Sequence, residues 1–462
     1  MGWSFTVLGG GQEIGANSYL LQIDGLSFLL DAGLHPKKFG LESLPDYSLI
    51  TRELEAIFIS HAHLDHIGSL PVVARQQPQA PIFATLPTRD IALRMLHNTV
   101  TVMNIYREEK GIVDYPFFDH EDLWPLERDL IGLEFNPRGR DFNNRNWGHG
   151  ERVHLRGEIQ AQFIPSGHVL GAGGLFLQQG RRRIFYTGDI SLNDQALIPG
   201  AVLPDERIDA LILECTYAGD PTSHSSKRGT EIEAFARETS RVLKSGGSVL
   251  IPAFALGKTQ ELLYLVHTLT AGGRIPPVPR YISGLGKSIT EIYQDHRRHL
   301  HRQVSPLSFE LYSVLGLLDD LSISKLLREP CLIIATNGMM VENTPSARLA
   351  RWMVAEEKHG IFFCGYVDPD TLGHRVLHAH PGDRLAFNPQ EVPVEVRNDC
   401  IRRFYLSSHA DRPQLLEVAR RLHPRMIVLV HGEKGGMDSL QEELEKDFVV
   451  VQGEKGKTID LD

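Results

Sequence analysis

Apolar residues recur along the chain with two different spacings, which predict where strands and helices lie. Short apolar runs bounded by glycine or polar turns open the chain, and the first predicts a strand over Trp3 to Leu8. A helix is predicted over Asp65 to Ala74 and a longer one over Thr88 to Glu109, within a partly helical stretch that reaches about Asn146. Strands resume at Glu158.

The pattern changes after Glu214, beyond which buried strands and amphipathic helices alternate. Helices are predicted over Thr230 to Leu243 and Lys258 to Leu269, and strands over Ser248 to Pro252, Cys331 to Thr336, Ile361 to Tyr366, Arg403 to Ser407 and Met426 to Val430. Such alternation favours an α/β insert built on a parallel sheet, after which the last two strands return the chain to the first domain. The predicted segments are 1–217, 218–395 and 396–462, and the first and last form one domain.

Three histidines and an aspartate follow the apolar run that ends at Ser60, in the order His61, His63, Asp65 and His66. His61 and His63 alternate in a turn and suit one metal ion, while Asp65 and His66 stand where a helix begins and suit a second. Histidine-rich turns are sometimes only solvated loops, but four ligand-type residues at this spacing favour metal binding. A hydrolytic dinuclear zinc site is the leading hypothesis.

Three further candidate ligands, His168, Asp189 and His431, each follow an apolar, strand-like run. Each lies beside a glycine, which lets the backbone turn tightly toward an ion. Zinc is inferred because the ligand set is rich in histidine, and manganese also fits such sites.

These residues resemble the metallo-β-lactamase fold, whose signature is a His-x-His-x-Asp-His turn followed by a distant His, Asp and His. The segments Leu213 to Tyr217, Ile251 to Glu261 and Leu406 to Asp411 resemble the β-CASP branch of that family, a group of nucleases. The histidine at position 431 resembles the residue that the RNA-processing members of this branch have at the matching position. The resemblance covers nearly the whole chain and implies an α/β fold, in which a metallo-β-lactamase αββα sandwich carries an inserted β-CASP domain with a parallel sheet flanked by helices.

The resemblance implies a role for each matching residue. By that resemblance, the first zinc is held by His61, His63 and His168, the second by Asp65, His66 and His431, with Asp189 as the bridge and Asp31 orienting the ligand turn. Asp65, Glu214 and His409 are the implied catalytic residues. His409 is the candidate general acid, kept protonated by Glu214, and the alternative is that Glu214 only supports the ligands.

Lys258, at the start of a predicted helix, is a candidate contact for a substrate phosphate, and a solvent-exposed helix-start residue is an equal alternative. ATP binding is not expected. The two lysine loops at Gly257 and Gly286 end like phosphate-binding loops but have Pro252 and Tyr281 where the first glycine is required.

The implied function is a zinc-dependent phosphodiesterase that cleaves RNA, with two metal ions sharing a bridging hydroxide nucleophile. By resemblance, the products carry 5′-phosphate and 3′-hydroxyl ends, and endonuclease and 5′–3′ exonuclease action both stay open. The alternatives are a hydrolase of DNA, a nucleotide or another phosphodiester, and a non-catalytic scaffold in RNA processing. Segments at Ser283, Asn337 and Asp370 depart from the family pattern and leave the substrate open.

Composition fits an enzyme of the cytoplasm. The chain has 462 residues, 42% of them hydrophobic, and no apolar run approaches the roughly 20 residues that span a bilayer. The N-terminus does not resemble a signal peptide. The four scattered cysteines are expected to be buried thiols of a protein in a reducing compartment. The net charge of −10 counts against general nucleic-acid binding but permits a local groove for RNA. No membrane partner is expected, and a homodimer stays open.

Overall fold

The computed structural model describes residues 2–134, 150–219, 228–301, 304, 312–316, 318–388 and 390–462. The chain divides into two compact units, one of Met1–His224 with His409–Asp462 and one of Ser225–Ser408. The domain boundaries near 217 and 396 stay predictions. The end of the partly helical stretch, from 135 to 146, lies outside the described residues.

Two sheets, each with seven strands in the described residues, form the first unit. The first sheet has the order Thr458–Asp460, Trp3–Gly9, Ser18–Ile23, Leu26–Leu30, Ala56–Phe58, Ile82–Thr85 and Leu130–Leu133. The second has the order Val449–Gln452, Met426–Val430, Ala210–Glu214, Arg182–Tyr186, Gly173–Gln179, Ile159–Pro165 and Arg152–His154.

The two sheets pack face to face through a shared apolar core, because alternate residues of their strands are apolar. The rings of Phe58 and Phe163, one from each sheet, lie 6.2 Å apart. Helix Leu86–Lys110 packs on the first sheet, and helices Arg412–Leu422 and Lys434–Leu444 cover the second. This arrangement confirms the predicted αββα sandwich.

The helix predicted over Asp65 to Ala74 is wrong as a single element. The structure has two short helices, Leu64–Ile67 and Leu70–Gln76. Between them Ser69 N–H donates to Ala32 O at 2.9 Å instead of continuing the first helix. Pro71 has no N–H to donate and suits only the first turn of a new helix.

The long helix is confirmed and runs over Leu86–Lys110. The side chain of Thr85 caps its start by accepting from Thr88 N–H, and Gly111 ends it in the left-handed conformation at φ 68°. A shorter helix, Trp124–Asp129, follows. Among the residues that the structure describes, no helix combines the length and apolarity needed to cross a membrane.

The second unit is built on a six-stranded sheet whose described pairings are all parallel. Its strand order is Ser313–Val314, Arg280–Ile282, Leu332–Ala335, Val249–Pro252, Gly360–Phe363 and Ile401–Arg403. Its helices are Arg228–Lys244, Lys258–Ala271, Gly284–Asp295, Asp320–Leu326, Pro345–Met353 and Leu372–Leu377. A short antiparallel pair joins Arg384–Leu385 to Val394–Glu395. The predicted parallel α/β insert is confirmed.

The strand predicted over Arg403 to Ser407 is wrong, because the strand ends at Arg403. Beyond it, Tyr405 N–H donates to the carboxylate of Glu231 at 2.8 Å, and Leu406 N–H donates to Phe404 O at 2.9 Å. These hydrogen bonds replace the strand pairing that the apolar run alone predicts for these residues.

Candidate metal centre

The candidate ligands follow the carboxyl ends of strands in the first unit. Strands Arg182–Tyr186, Ala210–Glu214 and Met426–Val430 run parallel, so they end at the same edge of their sheet. Gly167 and Gly188 precede His168 and Asp189 and have positive φ, at 72° and 52°. Their lack of a Cβ lets the backbone turn tightly, as predicted from the sequence.

The first group of polar side chains contains three histidines and one aspartate, His61, His63, His168 and Asp189. His63 Nδ1 lies 3.1 Å from His61 Nε2 and 3.0 Å from His168 Nε2. Asp189 Oδ2 lies 3.4 Å from His61 Nε2 and 3.5 Å from His168 Nε2. Three imidazole nitrogens and a carboxylate oxygen therefore converge on one point.

The second group contains Asp65, His66 and His431. Asp65 Oδ2 lies 3.4 Å from His431 Nε2 and 3.8 Å from His66 Nε2. The other oxygen of Asp189, Oδ1, lies 3.4 Å from His66 Nε2 and 2.9 Å from His431 Nδ1. Asp189 thus turns one oxygen to each group, which is the geometry that a bridging ligand needs.

These distances fit metal ions. A tetrahedral zinc ion with bonds of about 2.0–2.1 Å has neighbouring ligand atoms about 3.3–3.4 Å apart. The distances from Asp189 to His61, His66 and His168 are 3.4, 3.4 and 3.5 Å, close to this value. His431 Nε2 is buried without a hydrogen-bond partner among the described residues, which is consistent with a role as a metal ligand.

The electrostatics of the first group also suit a cation. Burial lowers the pKa of His61 well below its ordinary value and lowers the pKa of His63, so both rings are neutral near pH 7. Neutral imidazole is the form that binds metals.

The second group differs in charge. Burial disfavours a charged His431, but the carboxylates of Asp189 and Asp65 outweigh this effect and raise the pKa of His431 to about 9. The pKa of Asp189 lies well below its ordinary value, because His66 and His431 outweigh the opposing effect of burial. A metal ion bound to this group would displace the proton that His431 holds.

Asp31 lies beneath the ligand turn and accepts hydrogen bonds from three residues. Its carboxylate lies 2.7 Å from each of four donor atoms, namely the backbone nitrogen and hydroxyl of Ser60, the hydroxyl of Tyr186 and Nδ1 of His66. Because His66 donates through Nδ1, its Nε2 is directed to Asp65 and Asp189. This is the contact that the predicted orienting role of Asp31 requires. Sequence reasoning missed Ser60 and Tyr186, whose polar groups carry no spacing signal.

His409 and Glu214 lie against the first group. His409 Nδ1 is 3.2 Å from Glu214 Oε1 and 3.9 Å from Asp189 Oδ2. Its ring centroid lies 4.4 Å from that of His168. Burial alone would lower the pKa of His409, but Glu214 and Asp189 outweigh it and raise that pKa above the ordinary value. His409 and Glu214 are therefore in contact, as the predicted roles of general acid and supporting carboxylate require.

Lys258 belongs to the second unit and is only 8% exposed. Its ammonium donates to the carbonyl of Leu406. Burial and the nearby Arg228 lower the pKa of Lys258 to about 8. The contact with a substrate phosphate stays a prediction, and the bond to Leu406 is a competing use of the same ammonium.

Three family models match successive parts of the chain. Residues 11–237 match the metallo-beta-lactamase superfamily, residues 259–376 the Beta-Casp domain, and residues 393–451 the Zn-dependent metallo-hydrolase RNA specificity domain. Together these matches include parts of both units.

The chain is also similar to several named proteins along most of its length. It is 30% identical to cleavage and polyadenylation specificity factor 73 of Drosophila melanogaster, covering 96% of this chain and 61% of the relative. It is 28% identical to endoribonuclease YSH1 of Mycosarcoma maydis, covering 96% and 48%, and 28% identical to transcription termination factor FttA of a Lokiarchaeum strain, covering 95% and 68%. The chain thus spans about half to two thirds of the length of these relatives.

One solved structure shares the fold over its whole length. It is a protein of unknown function from Enterococcus faecalis V583, with a TM-score of 0.55, 15% identity and full coverage of both chains. At that identity the likeness concerns the fold alone.

Proposed function

Because the chain belongs to the metallo-β-lactamase superfamily and carries its Beta-Casp and RNA specificity domains, we propose that it is a zinc-dependent nuclease that hydrolyses RNA. One observation carries the proposal. Asp189 presents Oδ1 to one histidine-containing group and Oδ2 to another, so the chain has the residues for two adjacent metal ions.

Two divalent ions at these groups would supply an activated water and neutralise the negative charge that develops on the phosphate. His61, His63 and His168 would hold one ion, while Asp65, His66 and His431 would hold the other. The residues of the chain must then handle the proton of the leaving oxygen.

The contact between His409 and Glu214 supports a role for His409 in that proton transfer. Its Nδ1 faces the carboxylate of Glu214, which favours a proton on the ring and fixes the ring's orientation. We propose that Nε2 of His409 protonates the 3′ oxygen as the bond between phosphorus and that oxygen breaks. Water supplies the new oxygen on phosphorus, so the products carry 5′-phosphate and 3′-hydroxyl ends.

RNA is the proposed substrate because of two findings. The segment 393–451 matches a model described as an RNA specificity domain, and a relative that this chain matches over 96% of its own length is named an endoribonuclease. The cytoplasm is the proposed location, because all four cysteines are buried and none forms a disulfide.

The experiment is cleavage of matched single-stranded RNA and DNA, labelled at the 5′ end, by zinc-loaded protein. His66→Ala serves as the control for contaminating nuclease. Cutting of RNA alone that is lost in the variant supports the proposal, and the product ladder separates internal cuts from stepwise removal at an end. Cutting of DNA alone, or of neither strand by protein that holds two zinc ions, would assign the chain to another phosphodiester.

A further inference from the structure

The side chain of Asn17 lies against the second group of ligands. Asn17 is fully buried, and its backbone N–H donates to Asp65 O at 2.8 Å. Its side-chain Nδ2 position is 2.9 Å from His66 Nε2 and 3.5 Å from Asp65 Oδ2. The end of the amide therefore touches two of the three residues that would hold the second ion.

The other end of the amide faces Tyr19. The phenol oxygen of Tyr19 lies 2.8 Å from Gly10 O and 2.9 Å from the Asn17 Oδ1 position. A phenol has one proton, and a backbone carbonyl can only accept. With Asn17 Oδ1 facing Tyr19, one proton is shared between two acceptors in a buried place.

Exchanging the amide oxygen and nitrogen of Asn17 removes this deficit. The two atoms are nearly the same size, so the hydrogen-bond pattern decides which is which. After the exchange, the Asn17 amide nitrogen donates to Tyr19, and Tyr19 donates its proton to Gly10 O. Tyr19, Gly10 O and the amide nitrogen then each have a partner of the right kind. The amide oxygen instead faces two acceptors, His66 Nε2 and Asp65 Oδ2, so the exchanged orientation is favoured when a cation lies between them.

The exchange places the amide oxygen of Asn17 at the position 2.9 Å from His66 Nε2. His66 Nδ1 is committed to Asp31, so Nε2 is the atom available to an ion. We propose that the amide oxygen of Asn17 is an additional ligand of the second metal position. The inference rests on the two-metal function proposed above.

An oxygen ligand from Asn17 would give the two metal positions different preferences for zinc and manganese. Three imidazoles dominate the first group, and such a set suits zinc. The second would combine two imidazoles with oxygens from Asp65, Asp189 and Asn17. Oxygen ligands and a higher coordination number suit manganese better than zinc, so manganese is expected to replace zinc at the second position first.

The test is metal binding by the purified chain after metal removal. Zinc and manganese are titrated separately against a competing chelator, and bound ions are counted by mass spectrometry. The variants are Asn17→Leu, which keeps the shape without the oxygen, Asn17→Asp, which keeps an oxygen, and Tyr19→Phe, which removes the group that holds the amide. Thermal unfolding of each metal-free variant separates metal binding from folding.

We expect two ions in the unaltered chain and a loss of affinity of roughly 10–100-fold for one ion only in Asn17→Leu. This loss is expected to be larger for manganese than for zinc. Asn17→Asp is expected to bind both ions. Tyr19→Phe is expected to lose part of the affinity for the second ion. Unchanged or tighter metal binding by Asn17→Leu would overturn the inference. So would a lower melting temperature of metal-free Asn17→Leu if added metal raised it by as much as in the unaltered chain. Fewer than two ions in the unaltered chain would instead contradict the two-metal function itself.

Discussion

His409 Nδ1 lies 3.2 Å from Glu214 Oε1, and backbone groups hold the carboxylate in that position. Ile190 N–H donates to Oε1 and Thr216 N–H donates to Oε2, each at 3.0 Å. Because both oxygens accept from the backbone, the position of the Glu214 side chain beside His409 is fixed. The pair therefore fixes the orientation of the histidine ring before substrate arrives.

Replacing His409 by alanine tests its role as general acid. His409→Ala is expected to keep two zinc ions and to slow RNA cleavage by about 10²–10⁴-fold, because the leaving oxygen loses its proton donor. His423→Ala is the matched control, since this exposed histidine lies at the other end of the helix that follows His409. Rates are compared at saturating substrate. An unchanged rate in His409→Ala would exclude it from the reaction.

Glu214→Gln tests whether the carboxylate acts through His409. The variant is expected to slow cleavage because the ring loses its charged partner, without a change in zinc content. In the double variant with His409→Ala, the effects are expected to be far from additive, since both changes remove the same proton transfer. Fully additive losses would assign Glu214 to support of the ligands alone.

Emptying the second metal position is expected to abolish cleavage. Asp65→Ala and His66→Ala each remove a ligand from the group that includes His431, so zinc content is expected to fall by one ion per chain. Zinc is counted by mass spectrometry, and cleavage is measured on the same preparation. Full activity with one ion would show that a single metal is sufficient.

Asp31→Asn is expected to weaken the second metal position without touching an ion. The carboxylate of Asp31 orients His66 through Nδ1, and loss of such a contact typically lowers metal affinity by about 10–100-fold. Tyr186→Phe is the matched control, because it removes a different donor to the same carboxylate. Equal affinity in Asp31→Asn and the unaltered chain would contradict the orienting role.

Acid is expected to destabilise the second unit partly through His359. Its Nδ1 accepts from Ser248 N–H at 3.0 Å, and burial lowers the pKa of His359 from 6.5 to about 4. Between these values the unfolded chain binds the proton and the folded chain does not, so stability falls as the pH falls from about 6.5 to about 4.

His359→Asn keeps an acceptor for Ser248 but does not titrate. Its denaturant midpoint, measured without metal, is expected to fall less steeply with acid than that of the unaltered chain. Removing metal first excludes the pH dependence of metal binding, and the metal-free ligand residues contribute equally to both proteins. Parallel pH curves for the two proteins would assign the acid sensitivity to other groups.

The parts of the fold that sequence predicted well are those with local patterns. Met426–Val430 is an unbroken run of apolar residues, and its predicted bounds match the structure. The His61 to His66 turn is also local, because the spacing of its ligands is fixed by the turn itself. The split between Ile67 and Leu70 was missed because it depends on a backbone bond to Ala32, far away in sequence.

Asn17 could not be identified from sequence for the same reason. An asparagine in a glycine-rich segment is typical of a turn, and nothing in its neighbourhood indicates a metal. Its importance comes from Asp65, 48 residues away, which the pairing of strands brings beside it. Contacts of this kind follow from tertiary structure and leave no mark on local spacing.

The order of the ligands along the chain has a consequence for biosynthesis. The first group is complete by Asp189, whereas the second needs His431, which follows the strand Met426–Val430. That strand lies between Ala210–Glu214 and Val449–Gln452 in its sheet. A nascent chain still on the ribosome before residue 431 therefore has one set of ligands only. Under the two-metal proposal, a stop codon before residue 431 would remove a ligand of the second ion, so the shortened protein is expected to be inactive.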